Sequence, residues 1–253
     1  MKISTVALLV GFIAAVVILR VLVLLILRRR EKSCHDDILS SPCASGGEQR
    51  RIVISLAMAC MIGVVLLGAL AIFANSLILS LDGAIHSVFA TLRGDPTLVF
   101  VFSWISVLGT GPALTGIALT ASAYLLLLDR RSLIAPLWCA FIAAQATTWA
   151  LKYLIGRERP EFIEGVVASA PSFPSGHATG ALVVTGFIAY SLAQGRKDLR
   201  TRFEAYFWAA MIVALIGFSR VFLSVHYATD VFAGYLVGAF WLFFAIILIP
   251  RRS

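Results

Sequence analysis

The chain has 253 residues, of which 60% are hydrophobic and only 13% charged, and its mean hydropathy is +0.95. Soluble globular domains carry about 25% charged residues, so this composition excludes one and implies an all-α, polytopic helical membrane protein. The formal net charge of +8 does not point to nucleic acid, because the cations sit in short segments between apolar runs and no soluble basic domain carries them.

Seven apolar segments approach or exceed the roughly 20 residues that a spanning helix needs: about 4–27, 52–78, 106–128, 133–153, 176–194, 204–224 and 229–249. The first holds Arg20 and ends at Arg28-Arg29-Arg30 with no small-residue cleavage site, so it reads as an anchor helix rather than a signal peptide. Arg20 lies near enough to the cytoplasmic end to snorkel there. The expected organisation is an N-terminal transmembrane anchor over 1–28, a basic cytoplasmic linker over 29–51, and a six-helix unit over 52–250. The stretch 81–105, with Asp82, His86 and Asp95, is too mixed for a span and is expected to be interfacial or re-entrant. Cys60 and Cys139 fall in apolar runs, and Cys34 and Cys43 in the linker; no metal-ligand spacing joins them, so free thiols are expected.

Fourteen of the 21 Lys/Arg residues fall in segments 28–51, 129–132, 195–202 and 251–252. With seven spans these segments share one face, which the positive-inside rule makes cytoplasmic. The N-terminus is then outside and the C-terminus inside. The remaining seven are Lys2, Arg20, Arg93, Lys152, Arg157, Arg159 and Arg220, and charges on the face that the rule depletes need another reason to be there.

Three clusters mark that outer face. The first is Lys152-Tyr-Leu-Ile-Gly-Arg-Glu-Arg159-Pro160. Its cations are either interfacial anchors or anion ligands. Next comes Pro171-Ser-Phe-Pro-Ser-Gly-His177. Ser175 suits an N-cap, Gly176 allows close backbone approach, and the free N–H groups of a helix start attract anions. This is either a capped helix with an interfacial His177 or an anion seat with His177 in its first turn. In the third, Ser219-Arg220 is followed by His226 and Asp230. Residues four apart share one helical face, where a carboxylate can fix the tautomer of an imidazole and leave its other nitrogen basic. Ionisable groups in spans are functional by default. Arg157, Glu158, Glu161 and Glu164 read as solvated loop charges. His35 and His86 read as non-catalytic, and Gly109-Thr-Gly111 as either close packing near the site or a flexible turn.

Three cations, a helix N-terminus, two histidines and an aspartate suit a tetrahedral phosphate. No cluster of carboxylates offers a Mg²⁺ cage, so no metal or other cofactor is expected, and Lys and Arg must stabilise the charge.

Lys152…Arg159-Pro160 with six residues between Lys and Arg, Pro174-Ser-Gly-His177, and Ser219-Arg220…His226…Asp230 resemble the three signature motifs of the PAP2 superfamily of lipid phosphatases, which shares its site with vanadium haloperoxidases. The resemblance covers about residues 52–249. It implies a six-helix core with the site at the outer membrane–water boundary, and metal-free hydrolysis of a lipid phosphate or pyrophosphate. It further implies His226 as nucleophile forming a phosphohistidine, Asp230 as its orienting group and His177 as general acid. Lys152, Arg159, Ser175, Gly176 and Arg220 would bind the phosphate. Polyprenyl (undecaprenyl) pyrophosphate, phosphatidic acid, phosphatidylglycerol phosphate and a lipid A phosphate are the candidate substrates. A lipid phosphotransferase would use the same residues. A non-catalytic lipid-phosphate transporter would be expected to hold its charges near the bilayer midplane rather than at span ends. A vanadate-dependent oxidase fits least, since those relatives are soluble. A bacterial cytoplasmic membrane is the expected location, with the site on its extracytoplasmic face.

Overall fold

The computed structural model describes residues 16–18, 20–24, 46–73, 75–160, 170–194, 196 and 198–249. Most of the expected anchor, the linker up to residue 45, and Cys34, His35, Cys43, Glu161 and Glu164 lie outside them.

Helix α1 (Gly46–Phe73) starts six residues before the expected span and carries Arg50 and Arg51 in its opening turns. It ends at Phe73 rather than 78, and a second helix, α2 (Asn75–Ala90), follows at once. At 16 residues α2 is too short to span. A 3₁₀ turn over Leu92–Gly94 leads to α3 (Pro96–Val107). Asp95 starts α3 by accepting the Thr97 N–H at 2.9 Å, and Pro96 fills the first helical position, where no N–H is needed. Helix α4 (Gly111–Leu127) continues from α3 across a 49° bend at residues 108–110. The expected span 106–128 is therefore the inner arm of a broken one. Gly109-Thr-Gly-Pro112 carries the break, because proline restricts the residue before it and glycine tolerates the tight path.

The remaining helices are α5 (Ile134–Ile155), α6 (Gly176–Ala193), α7 (Leu199–Phe222) and α8 (Ala228–Leu248). Helices α1, α5, α6, α7 and α8 are each long and apolar enough to cross a membrane, and α3–α4 makes a sixth crossing if the bent pair is one span. The chain is an all-helical, multi-pass membrane protein. From the N-terminal segment, Arg20 reaches Glu204 on α7 at 2.6 Å and lies over the Trp208 ring at 5.8 Å. The partner sits near the start of α7.

Helix α6 is the centre of the bundle. It packs on α4, α5, α7 and α8, and 61% of its span is buried against 22% for α1. Lipid tails remove the hydrophobic drive for helices to associate, so close packing and interhelical hydrogen bonds must hold the bundle. The α6–α8 contact shows how. A Cβ on Gly234 would stand 2.6 Å from the Ser175 carbonyl oxygen, and one on Gly238 would stand 2.8 Å from that of Thr179. These glycines, four apart, let the two backbones touch, and the Thr179 hydroxyl donates to the Gly234 carbonyl at 3.0 Å. Below the site, Leu114, Leu137, Phe141 and Phe187 form the largest buried cluster. On the outside, side chains such as Phe73 and Leu127 are more than four-fifths exposed, as lipid-facing positions should be.

Candidate active site

The C-terminal ends of α5 and α7 and the N-terminal ends of α6 and α8 meet at one end of the bundle. Every residue singled out from the three sequence clusters arrives there.

Lys152, in the last turn of α5, is buried and donates to the carbonyls of Pro171 at 2.5 Å and Ser172 at 3.2 Å. Gly156 ends α5 in the left-handed conformation (φ 63°), turning the chain back toward the site. Arg159 follows, its Nε on the Ala170 carbonyl at 2.7 Å and one terminal nitrogen on the Val225 carbonyl at 2.6 Å. The same nitrogen lies 3.3 Å from His226 Nε2. Burial pushes the Arg159 guanidinium below its usual pKa. Arg220 sits in the last turn of α7, is buried, and donates to the Ser106 hydroxyl of α3.

The expectation for Ser175 holds in position but not in bonding. It occupies the N-cap of α6 with extended backbone, yet its side chain makes no capping hydrogen bond, and its Oγ is buried without a partner. Its backbone N–H donates to the Asp230 carbonyl at 3.0 Å, so α6 is docked by main chain rather than capped by side chain. His177 follows Gly176 in the first turn. Gly109 packs on it: a Cβ there would be 3.1 Å from His177 Cβ and Cδ2 and 2.5 Å from Ile216 Cγ2. Of the two sequence readings for this glycine, close packing is the correct one. A Cβ on Gly111 would meet nothing within 4 Å.

His226 and Asp230 are together, but not on one helical face as the spacing suggested. His226 lies in the turn before α8, whose N-cap is Tyr227. Ser224 takes a left-handed φ of 59° in this turn, and the N–H groups of Val225 and His226 fold back onto the Arg220 carbonyl. Asp230 is at the third position of α8, where its Oδ2 accepts the Tyr227 N–H at 2.9 Å in a capping box. The same oxygen accepts the Ser172 hydroxyl and stands 3.6 Å from His226 Nδ1. Burial lowers the His226 pKa to about 3, against the opposing pull of Asp230. The ring is neutral at physiological pH.

Arg157 is a correction. Expected as a solvated loop charge, it is buried, and its guanidinium joins Asp82 at 2.8 Å to Asp230 at 2.6 Å and lies over the Tyr227 ring at 4.3 Å. Glu158 beside it is exposed as expected. Sequence reasoning also passed over Asp82, Ser106, Ser172 and Thr229. An aspartate directly after the mostly apolar run Leu77–Leu81 was a usable signal for Asp82, and Ser172 stands inside a cluster already singled out. Nothing in the sequence distinguishes Ser106.

The polar bookkeeping of the end is uneven. Among the described residues, the buried side-chain atoms without a hydrogen-bond partner are Arg157 Nε, Ser175 Oγ, Arg220 Nε and His226 Nδ1. Buried polar atoms are nearly always paired, and these exceptions all belong to this one constellation.

Residues 133–253 match the PAP2 superfamily. The chain is 42% identical over 97 residues to the phosphatidylglycerophosphatase B of Bacillus subtilis, covering 38% of this chain and 47% of that one. It is 35% identical over 111 residues to the lipid A 1-phosphatase of Rhizobium johnstonii, covering 40% and 41%. The chain thus spans less than half the length of these two curated relatives. A crystal structure described as the first transmembrane PAP2 type phosphatidylglycerolphosphate phosphatase from Bacillus subtilis aligns with a TM-score of 0.69 and 30% identity, over 75% of this chain and 94% of that one. Given a shared fold over nearly all of that structure, and a match across the region bearing the three clusters, the chain belongs to the PAP2 superfamily.

Proposed function

We propose that this protein is a metal-independent lipid phosphatase that cleaves a phosphomonoester or pyrophosphate through a phosphohistidine on His226. The observation that carries the reading is the setting of His226: a neutral, buried imidazole with Nδ1 toward Asp230 and Nε2 beside the guanidinium of Arg159. A carboxylate behind one nitrogen leaves the other as a nucleophile.

The Nε2 lone pair attacks phosphorus, the P–O bond to the lipid breaks, and His177 protonates the departing oxygen. Water then attacks the phosphohistidine, giving its proton to His177, and inorganic phosphate leaves with His226 restored. The cations have donors to spare for the phosphate oxygens. Lys152 uses two of its three N–H bonds on carbonyls. Arg220 keeps an unpartnered Nε and several further donors beside Ser106. Ser175, Gly176 and the uncapped N-terminus of α6 complete the seat, where the helix dipole favours negative charge. With the charge count of the loops, the site faces the outside of a cytoplasmic membrane, open to lipid headgroups in the outer leaflet.

The test is phosphate release by purified protein in lipid nanodiscs. The panel is phosphatidylglycerol phosphate, phosphatidic acid, undecaprenyl pyrophosphate and a lipid A phosphate, each with and without EDTA. Release from at least one lipid, unchanged by EDTA and abolished in His226→Ala, is expected. Transfer of phosphate to a second lipid without release would make the protein a transferase. Undiminished turnover in His226→Ala, or loss on chelation, would overturn the mechanism.

A further inference from the structure

Asp82 lies on α2, outside all three motif-bearing segments, yet its side chain is fully buried against the catalytic end. Its Oδ1 accepts the Thr229 N–H at 3.1 Å, and its Oδ2 accepts the Thr229 hydroxyl at 2.6 Å and the Arg157 guanidinium at 2.8 Å. Asp82 therefore caps the start of α8 from a different helix, satisfying an N–H that has no intrahelical partner. The other terminal nitrogen of Arg157 reaches Asp230 Oδ1 at 2.6 Å and the Thr229 hydroxyl at 2.8 Å. One cation thus stands between two carboxylates, and the buried trio keeps a net charge of −1.

Asp230 is the point of leverage. With Oδ1 held by Arg157, its carboxylate cannot rotate, and Oδ2 stays on the side of His226 Nδ1. If the negative charge of Asp82 were absent, Arg157 would be balanced by Asp230 alone. Asp230 would then be matched one to one by a guanidinium, with less negative potential left for the imidazolium that forms when His226 takes the phosphoryl group.

We propose that Asp82, acting through Arg157, is a positioning residue that keeps Asp230 aimed at His226 and electrically free to support it. The proposal rests on the phosphatase reading for its effect on rate, but not for its effect on the imidazole.

The test is Asp82→Asn, which keeps shape and removes charge, in the full-length protein in nanodiscs. Turnover of the best lipid phosphate should fall about 10- to 100-fold with KM within about twofold, as misplacement of a catalytic group without loss of substrate contacts would give. Independently of turnover, ¹⁵N spectra of histidine-labelled protein, with His226 assigned through His226→Ala, report where its proton sits. Wild-type His226 should carry the proton on Nδ1, facing Asp230, and Asp82→Asn should shift population toward the Nε2–H tautomer. Arg157→Lys keeps the charge but loses the two-pronged grip, and should fall between wild type and Asp82→Asn on both measures.

An unchanged kcat and tautomer in folded Asp82→Asn would overturn the proposal. So would activity lost only in proportion to folded protein, with the His226 signal unmoved. If wild type releases no phosphate from any lipid while the His226 tautomer still responds to Asp82→Asn, the phosphatase reading fails and the positioning role stands.

Discussion

Gly109→Ala separates the proton-donor role proposed for His177 from the rest of the site. The new Cβ would lie 2.5 Å from Ile216 Cγ2 and 3.1 Å from His177 Cβ and Cδ2. Carbon atoms pack at about 3.5–4.0 Å, so Ile216 must retreat by roughly 1 Å and the His177 ring by roughly half that. Overpacking of this size costs about 1–3 kcal/mol of stability, which the bundle should survive. Misplacement by about 1 Å can cost roughly 10²-fold in rate, so the half-ångström shift of His177 should lower kcat by about 10- to 100-fold. That loss applies where the leaving group needs a proton. An alkyl phosphate leaves as an alkoxide and depends on general acid catalysis, whereas a nitrophenyl phosphate leaves as a stable phenolate. Measured side by side, kcat for a lipid phosphomonoester should fall by that amount and kcat for p-nitrophenyl phosphate by no more than about threefold. Equal losses on both would show that the mutation disturbs the phosphate seat instead, and no loss on either would refute the role of His177.

Lys152→Ala and Arg220→Ala should each remove about 2–4 kcal/mol of transition-state stabilisation, by analogy with loss of one oxyanion donor. Stopped assays of kcat/KM on the preferred lipid check this, and a loss below about threefold would take either residue out of the phosphate seat. His226 should also make the fold acid-sensitive. Its folded pKa lies near 3 and its unfolded value near 6.5. From about pH 6.5 downward the unfolded chain therefore binds a proton that the folded site refuses, and stability falls. By pH 5 the difference is about 2 kcal/mol, so thermal unfolding midpoints between pH 7 and 5 should drop less in His226→Gln than in wild type. Equal drops would contradict the buried neutral imidazole.

Features set by local sequence were legible in advance. Spans 133–153, 176–194 and 229–249 match α5, α6 and α8 to within two residues, because helix ends there coincide with charge, proline or glycine. Lys152, Arg159, His177, Arg220 and His226 could be gathered into one site because each stands at or near a span end on the face that counting charges assigned to the outside. What could not be read was partnership across the chain. Arg157 looked like any cation in a polar loop beside Glu158; its acceptor Asp82 is 75 residues earlier, on a helix too short to span. Ser106 is one serine among several in an apolar run, and only the packing of α3 on α7 brings it to Arg220. His226 and Asp230 were paired for a helical reason, whereas the contact arises because Asp230 folds back to cap its own helix.

That last difference bears on which helix binds the anion. Two helices begin at the site, α6 and α8, and each presents the positive end of its dipole there. They are held side by side by the Ser175 N–H on the Asp230 carbonyl and by the glycine contact at Gly234. The start of α8 is already occupied by negative charge, since Asp230 caps the Tyr227 N–H and Asp82 caps that of Thr229. The start of α6 has no side-chain cap, and its N-cap hydroxyl is unpartnered. On the proposed function, a phosphate entering between them would be repelled by the carboxylates at α8 and met by free donors at α6, with Lys152, Arg159 and Arg220 around it. The same asymmetry divides the labour of the histidines. On the proposed mechanism His226, backed by the carboxylate of Asp230, is the histidine suited to attack, whereas His177, on the open turn of α6, would serve the departing oxygen. On that mechanism, two helix starts of the same polarity would thus serve one nucleophilic and one proton-donating side, set apart by the carboxylates that cap α8.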